Sequence, residues 1–356
     1  PTLGISFHLG IWVLNLHNPA MVSGGITAGN NFLVEGDGTV TMHRRLPEHR
    51  PFYKWMNEMY NEGLVDPEAF TQTQDQFEAK AASGRVLAFL GMGWQVGQVE
   101  QILNGDGKPE RTYGAVPAAA EGMLNAYRTR RQGGLQTAQA ELIIPTETSE
   151  EKALAIVRLL DYVATDEGNI LTNWGIEDVH YAVDNGTRVW KPDTRERYLS
   201  DANFETSTGI GLMDGAPFPH YAPFAVDSTG NYRYPDYNDD FRANYPDIDK
   251  EVLDGYGVRT WQDLFPPLSE FTVYKGPNVQ QLLNQLAPDH PARVAYVRIN
   301  DLSQRDLVNA IIAPPDQFDE LYDEYLDNLA QAGIYELEET ATELAQERMR
   351  FWGVLD

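Results

Sequence analysis

Apolar positions along the chain alternate between short unbroken runs, the signature of strands, and stripes at helical spacing. Phe32 to Val34 and Val40 to Met42 flank the turn Glu35-Gly36-Asp37-Gly38, which predicts a hairpin. Phe52, Trp55, Met56, Met59 and Tyr60 fall on one helical face assigned to a core, and Gly63 stands where a C-terminal cap belongs. Thr73 with Gln76 makes a capping box for a second helix, stopped by Ser83 and Gly84. Val86 to Leu90, bounded by Gly84 and Gly91, reads as a fully buried strand of a parallel sheet. A helix follows from Gln98 to Leu103, and Tyr113 to Pro117 and Leu142 to Ile144 read as further short strands.

Ser149 caps a helix whose apolar stripe is Ala153, Ile156, Val157, Leu160 and Val163. Asp166 starts a shorter one through Leu171 and Trp174, stopped by Gly175. From Ala182 to Pro277 the chain is rich in Tyr, Pro, Asp and Asn, and only Ile248 to Leu253 and Trp261 to Leu264 look helical, so a long loop-rich excursion is expected. Two helices close the chain. Asp316 is expected to cap the first, which buries Phe318, Leu321, Tyr322, Tyr325, Leu326 and Leu329, and the second runs through Leu344, Ala345, Met349 and Trp352. Strands alternating with helices imply an α/β sheet architecture with a helical C-terminal region.

Composition narrows the partners. The chain has 356 residues, a length for two lobes, and no run approaches the ~18 apolar residues of a membrane span. Its 53 acidic against 27 basic residues give a net charge of −26, which argues against nucleic acid or an anionic membrane. There is no cysteine, so disulfides, thiolate metal sites and a Cys nucleophile are excluded. Pro1 to Ile5 carries neither a charged n-region nor a cleavage site, a state that a mature or trimmed chain shares.

The chemistry signals are mostly negative. Gly91-Met92-Gly93-Trp94-Gln95-Val96-Gly97 invites a dinucleotide fingerprint, but the third glycine is one residue late and Trp94 is bulky where the backbone must be bare. His8, His17, His43, His49, His180, His220 and His290 lack metal-ligand spacing and read as core or surface histidines. Asp227, Asn231, Asp236, Asp239 and Asp240 do not match a calcium hand and read as a structural loop. A catalytic carboxylate pair needs distances that a sequence does not give, so a polysaccharide-degrading enzyme, a glycosidase or lyase using cleft carboxylates, stays open as the alternative. Trp12, Trp94, Trp174 and Tyr181 sit beside glycine, turns or element ends, whereas Trp55 and Trp352 sit on stripes and read as core. An indole in a cleft covers the C–H face of a sugar ring while polar neighbours meet its hydroxyls, yet each aromatic alone is as much a core residue as a platform.

The runs Trp55 to Pro67, Phe77 to Gly84, Gly91 to Trp94, Ala153 to Gly168, Trp174 to Tyr181 and Asp319 to Gly333, with Glu347 and Arg348, resemble the family 1 extracellular solute-binding proteins of bacterial ABC importers, in the branch of oligosaccharide-binding lipoproteins. The resemblance implies a two-lobe, periplasmic-binding-protein-like fold of the class II type. In that scheme residues 1–135 form most of lobe two, 136–185 a lobe-one segment with hinge strands, 186–313 a loop-rich excursion spanning the lobes, and 314–356 helices packing on lobe two. It implies an oligosaccharide ligand, permease subunits as partners, a monomer, no enzymatic activity and no nucleic acid. Trp94 falls at the family's cleft-facing aromatic with Gln95 beside it, and Trp174, Glu177, His180 and Tyr181 at a second cleft segment; Trp12 joins them as a ligand-binding aromatic. Arg128 and Arg130 lie in a variable segment where an arginine would suit a uronate carboxylate. Members begin with a strand-helix unit of lobe one, which this sequence lacks, so an N-terminal portion with its lipoprotein signal is expected to be missing. With it would go the lipid anchor to the extracellular face of the cytoplasmic membrane, or a periplasmic location, and a structural calcium, the one cofactor entertained.

Overall fold

The first strand is Leu3–Ser6 (β1). The computed structural model describes residues 2–11, 13–23, 31–116, 129–133, 144–213, 218, 225–235, 242, 245–264 and 272–356. They fall into two units: Pro1–Val96, Ala115–Gln136 and Gln262–Asp356 form unit 1, and Gly97–Gly114 with Thr137–Trp261 form unit 2.

In unit 1 the hairpin strands Phe32–Val34 (β2) and Val40–Met42 (β3) pair as the Asp-Gly turn predicts. Val86–Phe89 (β4) runs parallel to β1, with Ile5 opposite Ala88 and Ser6 opposite Phe89. On its other side β1 meets the segment at Val65, where Ile5 N donates to Leu64 O at 2.8 Å. That approach requires a glycine: a Cβ on Gly4 would lie 2.4 Å from Leu64 O. The expectation that Val86 to Leu90 is fully buried is corrected, because Leu87 is 70% exposed and only Val86 of β4 is buried.

Helix Arg50–Asn61 buries Phe52, Tyr53, Met56 and Asn57, the face the stripe predicts, except that Trp55 is 38% exposed at the edge of Phe52 rather than in the core. Asn57 Nδ2 reaches the carbonyls of Ile311 at 2.9 Å and Ala313 at 2.7 Å, which helix Val308–Ile312 would otherwise leave unmet at its C-terminus. Thr73 and Gln76 form the predicted capping box on helix Gln74–Ala82. Helix Phe318–Gln331 begins after Gln317, with no side-chain cap, so Asp316 does not cap it; Phe318, Tyr322, Tyr325 and Leu329 are buried as expected. Helix Ile334–Phe351 lies along β3: Val40 N donates to Thr342 Oγ1 at 2.9 Å and Met42 N to the buried Glu338 Oε1 at 2.8 Å. These side chains meet an edge strand's backbone that would otherwise invite other chains. Arg45 grips the same carboxylate with two bonds of 2.7 and 2.8 Å. The described residues 272–313 are not a loop-rich excursion: besides helix Val308–Ile312 they carry helices Val279–Asn284 and Pro291–Leu302, and Leu283, Ile299 and Ile311 belong to the unit 1 core.

Unit 2 has a smaller core. Helices Glu150–Ala164 and Asp166–Asn173 form as predicted, with Ser149 Oγ accepting from Lys152 N. Only Val163 of the predicted stripe is buried, however, and Val157 is 51% exposed. The excursion after residue 181 is more ordered than its composition suggests: Tyr181–Asp184 and Thr187–Trp190 form a hairpin, followed by helices Pro192–Ser200 and Phe204–Thr208. Its turn sits on Asn185 and Gly186, both at positive φ. Helix Asp247–Tyr256 and the turn Trp261–Leu264 match expectation. Tyr113 to Val116 form no strand. Pro117 and the strand expected at Leu142 and Ile143 lie outside the described residues, as do His220, Asp236, Asp239 and Asp240.

Candidate functional site

At the carboxyl ends of β1 and β4 in unit 1, a set of buried polar side chains replaces the apolar packing that surrounds the strands. Ser6 Oγ donates to Asp66 Oδ2 at 2.8 Å, and Lys80 Nζ reaches the same oxygen at 2.8 Å. Burial alone would raise the Asp66 carboxyl, but the bonds from Lys80 and Ser6 outweigh it and hold the group below its usual range. Gln72 Nε2 donates to Ser6 Oγ at 3.0 Å and Phe7 O at 2.6 Å. This inner network fixes where the chain leaves β1, although Gln72 Oε1 stays buried without a hydrogen-bond partner.

A second set of polar side chains lies next to it in sequence. His8 and Asn15 follow β1 in sequence; Asn15 Nδ2 donates to His8 O at 2.7 Å. After β4 the chain makes the turn Gly93–Gln95, with Trp94 at its centre, and Gln95 folds back so that its Oε1 accepts from Met92 N at 2.6 Å. That leaves Gln95 Nε2 facing His8 Nε2 at 3.5 Å. An amide N–H on one side assigns the lone pair of His8 Nε2 to it and the ring proton to Nδ1. Burial lowers the His8 pKa, against an opposing charge from Glu78, so the ring is neutral at pH 7. His8 Nδ1 and Asn15 Oδ1 are buried with no hydrogen-bond partner.

Of the aromatics predicted to line a site, Trp94 is in this turn, and Trp12 lies outside the described residues. Arg128 is also outside them; Arg130 lies in the strand Thr129–Gly133, paired parallel to Thr272–Gly276. Trp174 and Tyr181 belong to unit 2 and are corrected from platform to core. Trp174 is 1% exposed, its indole N–H donates to Tyr232 O at 3.1 Å, and its ring meets Tyr181 and Trp190 edge-on. The guanidinium of Arg188 lies 5.3 Å from the Trp174 ring centre and 5.6 Å from that of Tyr181, and is ion-paired to the buried Asp227 at 2.9 Å. Asp227 Oδ1 in turn accepts from Thr229 N and Oγ1 and from Asn231 N, so this part of the acidic loop is a turn clamp. His180 Nδ1 accepts from Ile176 N at 3.0 Å and closes the loop over Gly175, while Glu177 is exposed on it. Sequence reading missed His8 and Asn15 as site residues, and Arg188 as the centre of the unit 2 core. Only the position of His8 just past a strand end could have flagged it.

Unit 2 also contains a pair of carboxyl groups on an aromatic frame. Tyr113 N donates to Glu100 Oε1 at 3.1 Å and Trp261 Nε1 to Asp249 Oδ2 at 3.2 Å. The Trp261 ring packs so closely that a Cβ on Gly114 would overlap it. Burial pushes Glu100 up to about 7, with the Asp249 charge adding to the rise, and burial raises Asp249 as well. A carboxyl raised in the folded state stabilises it as pH falls from about 7 to 4.5 and costs stability above that window. Glu100→Gln should therefore stabilise unit 2 at pH 8 by up to about 3 kcal/mol and remove this gain on acidification. Hydrogen exchange along Gly97–Gly105 at pH 5 and 8 measures it; unchanged protection at pH 8 would refute the assignment.

No protein-family profile and no curated protein matches the sequence. Solved structures do. An alginate-binding protein, AlgQ2, crystallised without calcium, aligns over 97% of this chain at 15% identity and a TM-score of 0.51. An HMO-binding, ABC-transporter-associated solute-binding protein from Bifidobacterium longum infantis aligns over 96% at 13% identity and 0.56. An extracellular solute-binding protein from Bifidobacterium longum subsp. infantis aligns over 96% at 14% identity and 0.52. In each case the chain spans 64% of the neighbour's length. The fold is thus the α/β fold of extracellular solute-binding proteins. Among the described residues no helix is long and apolar enough to cross a membrane.

Proposed function

We propose that this chain is the ligand-capturing part of an extracytoplasmic solute-binding protein that delivers an oligosaccharide to the permease of an ABC importer, without catalysing a reaction on it. The observation that carries the reading is the carboxyl end of β1 and β4. Ligands of parallel α/β sheets bind at strand carboxyl ends, and here buried His8 and Asn15 keep unspent hydrogen-bonding atoms beside the turn that bears Trp94. Neutral donors and acceptors suit hydroxyl groups rather than a charged metabolite. The sugar-binding neighbours that share the fold support the same class of ligand, and lipid anchoring outside the cell belongs to the proposal with it.

Titration calorimetry of the full chain against neutral and uronate oligosaccharides tests the reading. Affinity near micromolar, about −8 kcal/mol, is expected for at least one of them, with at least tenfold loss in Trp94→Ala. No binding to any member refutes it; binding untouched by Trp94→Ala moves the site elsewhere. Glu100 and Asp249 are the observation that keeps an enzyme as second reading, because a carboxyl pushed up to about 7 can serve as a general acid. New reducing ends or unsaturated products from the same oligosaccharides, lost in Glu100→Gln, would establish that reading instead.

A further inference from the structure

The sequence holds two Asn-Gly dipeptides, and unit 2 places them in opposite settings. Asn185-Gly186 is the tip of the hairpin formed by Tyr181–Asp184 and Thr187–Trp190, where Asp184 pairs with Thr187. Both tip residues are at positive φ, 50° and 87°, and both are exposed. Asn185 Nδ2 donates to the adjacent Asp184 Oδ1 at 3.1 Å, an exposed bond, and nothing lies within 4 Å of where a Cβ on Gly186 would stand. Asn104-Gly105, by contrast, closes helix Gly97–Gly105, which takes up the Gly105 N–H. Asn104 Nδ2 donates to Leu199 O at 3.1 Å, and a Cβ on Gly105 would stand 2.7 Å from Ser200 O.

An asparagine followed by glycine is open to attack by its own backbone, because the glycine nitrogen has no neighbouring side chain to block the approach. The Gly186 nitrogen gives its proton to a solvent base and bonds to Asn185 Cγ; the Cγ–Nδ2 bond breaks, and ammonia leaves with a proton from water. Water then opens the succinimide ring at either carbonyl, giving aspartate or isoaspartate, so that the net change is water taken up and ammonia released. The attack needs the backbone of Asn185 to swing out of the turn, and therefore proceeds from a tip that has opened. Beyond the hairpin's own ladder, Asn231 holds that tip shut. Its Nδ2 donates to Gly186 O at 3.0 Å and its Oδ1 accepts from Arg188 N at 2.7 Å, so one amide clasps both the turn and the strand after it.

We infer that Asn185 is a site of intramolecular deamidation gated by the Asn231 clasp, whereas Asn104 keeps its amide while unit 2 is folded. The isoaspartate product routes the backbone through an extra methylene and adds a negative charge beside Asp184. The turn then no longer presents Gly186 O to Asn231, and the hairpin that carries Arg188 to the Trp174 ring is loosened. The site is independent of what the protein binds.

The test incubates the full chain, as wild type and as Asn231→Ala, at mildly alkaline pH and follows each amide by peptide mapping in a mass spectrometer. Isoaspartate is counted by enzymatic carboxyl methylation from S-adenosylmethionine. Folded wild type should convert Asn185 at least about tenfold faster than Asn104, the protection of a packed helix end over an exposed tip. In urea, where the fold no longer separates the two dipeptides, their rates should converge. Asn231→Ala should speed Asn185 by about threefold to tenfold, the factor that one lost hydrogen bond allows, and leave Asn104 unchanged. Should Asn231→Ala loosen unit 2 as a whole, Asn104 accelerates with it; Asn231→Asp, which keeps the acceptor for Arg188 N and removes the donor to Gly186 O, then decides. Asn185 converting no faster than Asn104 in the folded wild type, or a difference that persists in urea, overturns the site. An unchanged Asn185 rate in the folded Asn231 variants overturns the gate.

Discussion

Acidification from pH 7.5 to pH 5 should lower the stability of unit 1 by about 2 kcal/mol through His49 alone, with His17 adding in the same direction. The cause is a chain of buried imidazoles. His17, His43 and His49 are all fully buried, with ring centres 6.0 Å apart for the first pair and 5.1 Å for the second. His17 Nδ1 lies 2.5 Å from Tyr53 Oη, and the buried guanidinium of Arg44 bears on the group. Burial first, and then the Arg44 charge, depress these rings: His49 falls to about 3, and His17 well below its ordinary range, with His43 and His49 adding to its shift. Both stay neutral in the folded state while the unfolded chain takes up protons below about pH 6.5, so stability is complete above that pH and is lost on descent towards 3. Each ring contributes about 1.4 kcal/mol per pH unit across the window. Hydrogen exchange along Arg50–Asn61 at pH 5, 6 and 7.5 reads the effect within unit 1, apart from the opposite trend of Glu100. His49→Phe should reduce the slope. Equal protection at all three pH values would show that the cluster is not a proton trap.

Truncating Arg44 to alanine should destabilise unit 1 by about 3–5 kcal/mol, because two buried amide oxygens lose their donor and a cavity is left. Its Nη2 donates to Asn31 Oδ1 at 2.5 Å and its Nη1 to Asn300 Oδ1 at 2.6 Å, which ties the segment before β2 to helix Pro291–Leu302. Burial lowers its pKa to about 10, against the neighbouring tyrosines Tyr325, Tyr296 and Tyr53, so it remains charged. Arg44→Met restores most of the volume but none of the donors and should recover less than half of the loss in urea unfolding. Full recovery would assign the cost to the cavity instead. Removing the Arg44 charge should also ease the protonation of His17 and His49, so Arg44→Met should flatten the pH slope described above.

Much of unit 1 could be read from its residues because local rules and tertiary structure agree there. The Asp-Gly hairpin, the Thr73–Gln76 box and the Phe318, Tyr322, Tyr325 and Leu329 stripe each form as their spacing predicts. The failures have a common physical form. A run such as Val86 to Leu90 reports that its residues are apolar, not how many elements cover them, so the exposure of Leu87 was illegible. Trp174 looked like a platform because it stands at a helix end, yet an element end can turn inward, and Tyr232 O and Arg188, both distant in sequence, hold it there. Of the proposed site, half of the residues could be picked out in sequence. Trp94 and Gln95 follow a glycine turn that any reader would mark, whereas His8 and Asn15 acquire meaning only once β1 is known to lie beside β4.

The contacts of helix Ile334–Phe351 with β3 bear on how the protein is made. Val40 waits for Thr342 and Met42 for Glu338, and between them the ribosome must synthesise all of unit 2. At about 5–20 residues per second that interval lasts on the order of fifteen seconds to a minute, during which the β3 edge lacks the side chains of helix Ile334–Phe351. A nascent chain stalled just short of residue 334 would thus expose a strand edge and an apolar face together, and would be the species that a holdase chaperone meets first.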